Sequence, residues 1–130
     1  MLFRSYRRHP RWAYRDPVTH ALEPVYSVHY NDYAARLQGA QCAYDVGVQR
    51  TCWQVHSLTN WMGDDGFLRQ ASCKIRRHNP EGDLLFIQGE VTKKFEENGT
   101  KLVEISLTSE NQDGERSAYG HAVAALPSRT

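Results

Sequence analysis

The strongest constraint on this chain is a change of hydrophobic period at one place. Val48, Cys52, Val55, Leu58 and Met62 recur at spacings of four, three, three and four residues. That spacing puts them on one face of a helix. Beyond Gly63 the period falls to two: Ala71, Cys73 and Ile75 alternate with Ser72, Lys74 and Arg76, as in a half-buried strand. A helix over 47–62 is roughly 24 Å long, enough to lie across a whole sheet. Asp45 is its candidate cap and Gly63 its stop.

The strand period continues to the end of the chain. Asn79-Pro80-Glu81-Gly82-Asp83 is a turn, and Leu85, Ile87 and Val91 form the next apolar face, with Gly89 marking a bulge or a close backbone approach. Asn98-Gly99 predicts a two-residue hairpin. Val103, Ile105 and Leu107 alternate with polar residues, Asn111-Gln112-Asp113-Gly114 turns again, and a last strand spans 116–126. Ahead of the long helix, the β-formers from Pro24 to Tyr30 predict a strand. Asn31 or Asp32 then caps a short helix through Tyr33-Ala34-Ala35-Arg36-Leu37, closed by Gly39. Short connections favour antiparallel neighbours, and only the sheet is large enough to cover the apolar side of the long helix. The expected fold is therefore α+β: a single hot-dog domain, a curved antiparallel sheet wrapped around one long central helix. Pairing of the sheet edges with a second copy is a usual way of protecting them, so a dimer is expected.

A chain of 130 residues accommodates one domain. The expected division is an arm over 1–24 followed by the hot-dog domain over 25–130. With 40% hydrophobic and 24% charged residues and a net charge of +1, the overall balance points to neither nucleic acid nor an anionic membrane. The arm is the exception, since Arg4, Arg7, Arg8, Arg11 and Arg15 interleave with Tyr6, Trp12 and Tyr14. Such a pattern suits RNA or phosphate contacts, or an arm lying over a neighbouring subunit, and the second reading is preferred. Cys42, Cys52 and Cys73 form no CxxC pair and read as small buried hydrophobes in a reducing compartment. No apolar stretch has signal-peptide or membrane length, so a cytoplasmic location is expected.

Several short stretches also carry a resemblance. His29-Tyr30-Asn31-Asp32-Tyr33-Ala34-Ala35, Ala43-Tyr44-Asp45-Val46-Gly47, Gly82-Asp83, Gly89-Glu90-Val91-Thr92, Asn111-Gln112-Asp113-Gly114-Glu115 and Leu126-Pro127 occur in that order. Over 29–129 the sequence resembles the MaoC-like family of R-specific enoyl-CoA hydratases and acyl dehydratases. Thr59-Asn60-Trp61-Met62-Gly63-Asp64-Asp65-Gly66 is similar to a subgroup of two-domain or two-subunit type. The resemblance implies reversible addition of water to a trans-2-enoyl thioester, an acyl-CoA or other acyl thioester as ligand, no cofactor and no metal. It also implies assembly as a homo-dimer or as a hetero-oligomer with a second hot-dog chain.

By the same resemblance, His29 is the general acid or base and the Gly47 amide at the start of the long helix is the donor to the thioester oxygen. Tyr44, Asp45, Val48 and Arg50 flank that donor as substrate-binding candidates. An ordinary surface salt bridge is the plainer reading of Arg50. The family's aspartate lies five residues before its histidine, where this chain has Pro24. Glu23, Asp32 or Asp45 is then the replacement carboxylate, with Asp32 taken as the catalytic candidate. Each also has a structural reading, as a solvated strand residue, a cap of the short helix or a cap of the long helix. Two further accounts remain: a residue supplied by a partner chain, or a subunit that shapes the acyl pocket without catalysis. A hot-dog acyl-CoA thioesterase using Asp45 is the rival reaction. Asp64-Asp65 reads as a polar turn, Trp53 and Trp61 as core or interface aromatics, and His56, His78 and His121 lack metal-ligand spacing.

Overall fold

The computed structural model describes residues 10–127; Arg4, Tyr6, Arg7 and Arg8 of the expected arm lie outside them. Two compact units divide the chain between Asp45 and Val46.

The first unit opens with β1 (Ala13–Arg15) paired antiparallel to β2 (Leu22–Pro24). The loop between them is tied by Asp16, whose carboxylate accepts from the amides of Val18 and Thr19 and from Asn31 Nδ2. These donors, led by the Thr19 amide and then Asn31, hold the Asp16 carboxyl down to about 2. The strand expected over 24–30 does not form. β2 ends at Pro24, and Ser27–His29 turns as a 3-10 helix. Buried Ser27 hydrogen-bonds Tyr14 Oη at 2.9 Å, and the Tyr30 amide returns to the Ser27 carbonyl. These contacts override the β-propensity of the segment. The short helix α1 (Asp32–Leu37) follows, capped by Asn31, whose Oδ1 accepts from the Ala34 amide. Val28, Ala34 and Ala35 form its core, flanked by Tyr14, Ala40 and Tyr44.

The second unit begins with the long helix α2, Gly47–Met62, stopped at Gly63. Its N-cap position is Val46 with no side-chain cap bond, so the expected cap by Asp45 is corrected: the cap position lies one residue later, at an apolar side chain. Four strands follow: β3 (Phe67–Ile75), β4 (Leu85–Glu97), β5 (Thr100–Asn111) and β6 (Arg116–Ala125), all antiparallel, in the order β3-β6-β5-β4. Asn98 and Gly99, both at positive φ, close the β4–β5 hairpin as expected. The connection over 76–84 differs from expectation, because it carries the chain from one sheet edge to the other instead of joining neighbours. Gly89 is a close approach, since a Cβ there would stand 3.3 Å from Leu107 Cδ2. The bulge falls instead between Val91 and Lys93.

The helix face that meets the sheet agrees with its apolar spacing at Leu58 and Met62 but not nearer its start. Arg50, Gln54 and Leu58 are buried, whereas Val48 is 72% exposed and Cys52 is exposed. Leu58 joins Val103, Ile105, Leu107, Ala122 and Ala124 in the main core. One turn earlier, Gln54 Nε2 donates to Ser109 Oγ at 2.9 Å. Earlier again, Arg50 Nη1 donates to the carbonyls of Arg77 and Ser117. Periodicity reads only apolar residues, so it misses a buried face whose polar groups find partners on the sheet.

Candidate functional site

His29 ends the 3-10 turn of the first unit, half-buried. Its Nδ1 lies 2.9 Å from the Tyr44 carbonyl. A carbonyl oxygen only accepts, so Nδ1 carries the hydrogen and the neutral ring keeps its free lone pair on Nε2. The Tyr44 ring meets the imidazole edge-on, with centroids 5.1 Å apart. The histidine is thus oriented by a backbone acceptor, the role a carboxylate often plays. A backbone acceptor has no signature in a sequence.

Asp32 belongs to the same construction. Its Oδ1 accepts from the Ala43 amide at 2.8 Å, and Oδ2 faces Arg36 at 3.4 Å. It ties the start of α1 to the segment carrying Tyr44, while the Tyr44 amide returns to the Val28 carbonyl. Asn31, not Asp32, caps the helix. Glu23 accepts from Tyr30 Oη at 3.3 Å, and burial followed by the Glu23 charge pushes the Tyr30 phenol up. Pro24 is buried opposite Ala13. Asp45 is half-buried.

In the second unit, the N-cap position of the long helix, Val46, makes no side-chain cap bond, and the positive end of the helix dipole lies there. A Cβ at Gly47 would stand 2.9 Å from Ile75 Cδ1, a flexible side-chain end. Val48 points outward. Arg50 is buried rather than on the surface, and its guanidinium donates to the backbone carbonyls of Arg77 and Ser117.

Further along the helix, a cavity of about 180 Å³ opens against the inner face of the sheet. Leu58, Trp61, Ile87, Val91, Ile105 and Leu107 line it. A wider, more open groove of about 620 Å³ lies beside it, bordered by Trp53, His56, Asn60, Leu84 and Leu85. Trp53 and Trp61 are therefore wall residues, not core. Asp64 and Asp65 form the exposed turn after the helix, and His121 Nε2 faces Glu104 at 4.0 Å. Cys42 and Cys73 are half-buried and Cys52 is exposed, so the expectation of three buried thiols is corrected for Cys52. Among the described residues no helix is long and apolar enough to cross a membrane.

No family model matches the sequence, and no curated protein matches it. Solved structures do. The (R)-hydratase from A. caviae involved in PHA biosynthesis matches with a TM-score of 0.69 at 17% identity, over 78% of this chain and 76% of that one. The ChsH1–ChsH2 complex from Mycobacterium tuberculosis matches with a TM-score of 0.68 at 17% identity, over the same shares. A hypothetical thioesterase protein with coenzyme A from Streptococcus pneumoniae TIGR4 matches more loosely, with a TM-score of 0.54 at 17% identity over 66% of each chain. The fold is the expected α+β hot dog, shared with these structures, one of which is an (R)-hydratase.

Proposed function

We propose that this chain is a MaoC-like hydratase subunit that reversibly adds water to a trans-2-enoyl thioester, with His29 as the acid–base group. The observation that carries the reading is the Nδ1–H bond to the Tyr44 carbonyl, which commits one ring nitrogen and leaves Nε2 to exchange protons. In the forward direction Nε2 takes a proton from water as the oxygen bonds to the β-carbon. The π electrons shift toward the thioester carbonyl, whose oxygen gains charge. The same proton is then delivered to the α-carbon, and the 3-hydroxyacyl thioester results. One histidine that returns the proton it takes needs no separate acid, which accommodates Pro24 where the family has its aspartate. The Gly47 amide is the proposed donor to the thioester oxygen. Asp32 is a positioning residue, acting through Ala43 and Tyr44 on the imidazole. The cavity between Leu58 and the inner sheet face is apolar enough to take an acyl chain.

A second reading has two supports. Pro24 removes a carboxylate, and one of the similar structures is a two-chain complex. In that reading the chain is the acyl-binding half of a hetero-oligomer with a second hot-dog chain.

The test follows loss of enoyl-thioester absorbance over a panel of enoyl-CoAs. The full chain is expected to hydrate at least one, and His29→Ala to lose about a hundredfold or more. Hydration undiminished in His29→Ala removes the histidine mechanism. Activity that appears only with a second hot-dog chain, and is insensitive to His29→Ala, establishes the acyl-binding half instead. Release of free thiol identifies a thioesterase.

A further inference from the structure

The outer face of the sheet carries a cationic cluster that the hydration chemistry does not use. Arg76 Nη2 donates to Tyr119 Oη at 2.6 Å, with its guanidinium carbon 5.2 Å from the ring centroid. Lys74 Nζ lies 5.9 Å from the same centroid. Nearby carboxylates are already engaged: Glu115 with Arg77, Glu110 with Arg116, and Glu104 facing His121. Among the described residues neither Lys74 nor Arg76 has a carboxylate partner. Two like charges gathered on one phenol without a counterion make a local positive potential that favours an anion. Because Tyr119 Oη accepts from Arg76, its own hydrogen remains to donate. The Arg76 bond and the two cations hold the Tyr119 phenol below its usual value.

The position matters as much as the charge. Lys74 and Arg76 flank Ile75, whose side chain takes the opposite face, against Gly47 at the start of the long helix. β3 is an edge strand, so the end of that strand separates the helix start from the cluster by one strand's thickness. A ligand whose thioester sits at the helix start and whose long flexible arm passes over the strand end delivers its far, anionic end to the cluster.

We infer that Lys74, Arg76 and the Tyr119 hydroxyl form a site for a phosphoryl group of a coenzyme A thioester, so that the carrier is recognised apart from the acyl chain. This rests on the thioester reading above. A phosphoryl oxygen accepts from the Lys74 ammonium, the remaining Arg76 N–H groups and the Tyr119 hydroxyl, all charge-assisted bonds.

The test is calorimetric titration of the full chain with coenzyme A and, separately, with pantetheine, which lacks the phosphates. All three side chains lie on the sheet's outer face, away from the core, and circular dichroism checks that the variants fold. The wild-type chain is expected to bind coenzyme A more tightly than pantetheine. Lys74→Ala with Arg76→Ala is expected to weaken coenzyme A about tenfold or more, leaving pantetheine unchanged. Tyr119→Phe keeps the ring and is expected to show a smaller loss. Added salt should weaken coenzyme A binding to the wild type and much less to the double variant. Wild-type affinity in the double variant overturns the site while leaving the hydratase reading intact. Equal wild-type affinity for coenzyme A and pantetheine also overturns it, and points to a carrier read by other features. Failure to bind either ligand, together with failure to hydrate any enoyl-CoA, overturns both readings.

Discussion

Arg50 and Gln54 enter the sheet through hydrogen bonds, and Leu58, one turn further on, enters it through oil. The first half of the interface joins a guanidinium to two carbonyls and an amide to Ser109 Oγ, with Ser117 Oγ donating to the Ser109 carbonyl beside it. The second half joins Leu58 to Val103, Ile105, Leu107, Ala122 and Ala124. The sheet residues facing the helix change accordingly, from Ser109 and Ser117 to alanines and branched aliphatics. Apolar packing tolerates small shifts, whereas hydrogen bonds fix direction and distance. The polar half lies toward the start of the helix. The apolar half borders the cavity lined by Leu58, Ile105 and Leu107. One group is not matched: Gln54 Oε1 is buried without a partner and lies where a Cβ on Gly120 would touch it at 2.8 Å.

The largest expected effect comes from Arg50→Ala, which removes a wholly buried side chain and the donor to the Arg77 carbonyl. Urea unfolding should show a loss of about 4 kcal/mol. If Arg50→Met restores most of that stability, volume alone matters and the contrast between the halves collapses. Leu58→Ala comes next, at about 3 kcal/mol from lost burial and the cavity left behind. It should enlarge the space beside Trp61 and Ile87 and shift any acyl-chain preference toward bulkier chains, which Arg50→Ala should not do. A smaller effect is expected from Gln54→Met with Ser109→Ala, since both partners of one bond and the lone Oε1 disappear together. The net change should stay within about 1 kcal/mol, and a much larger loss would show that this bond is needed to hold the polar half.

The smallest effect lies in the first unit, where Asp16 is a polar anchor with three donors. Its folded pKa, about 2, is below the ordinary 3.8. Its stabilising contribution is therefore complete above about pH 4 and lost as the pH falls toward 2. The urea midpoint of the wild type should fall more steeply across that window than that of Asp16→Asn. Equal slopes would remove Asp16 as the anchor.

What the sequence determined by itself is mostly local. The long helix runs from Gly47 to Met62 because no glycine or proline interrupts the chain between a glycine start and a glycine stop. Asn98-Gly99 makes its hairpin because those two residues accept positive φ, and Val103, Ile105 and Leu107 face inward because their strand alternates cleanly. His29 is a candidate through its motif, not through chemistry legible around it in the sequence. Only the tertiary structure decided which helix face is buried, because the partners of Arg50 and Gln54 come from residues 77, 109 and 117, far along the chain. It alone paired β3 with β6 instead of β4, and it alone turned Pro24–Tyr30 away from a strand by burying Ser27 against Tyr14. It also supplied the acceptor that sets the tautomer of His29, a backbone carbonyl fifteen residues away. Local periodicity and turn chemistry are written residue by residue. Hydrogen-bond partners distant in sequence exist only once the chain has closed on itself.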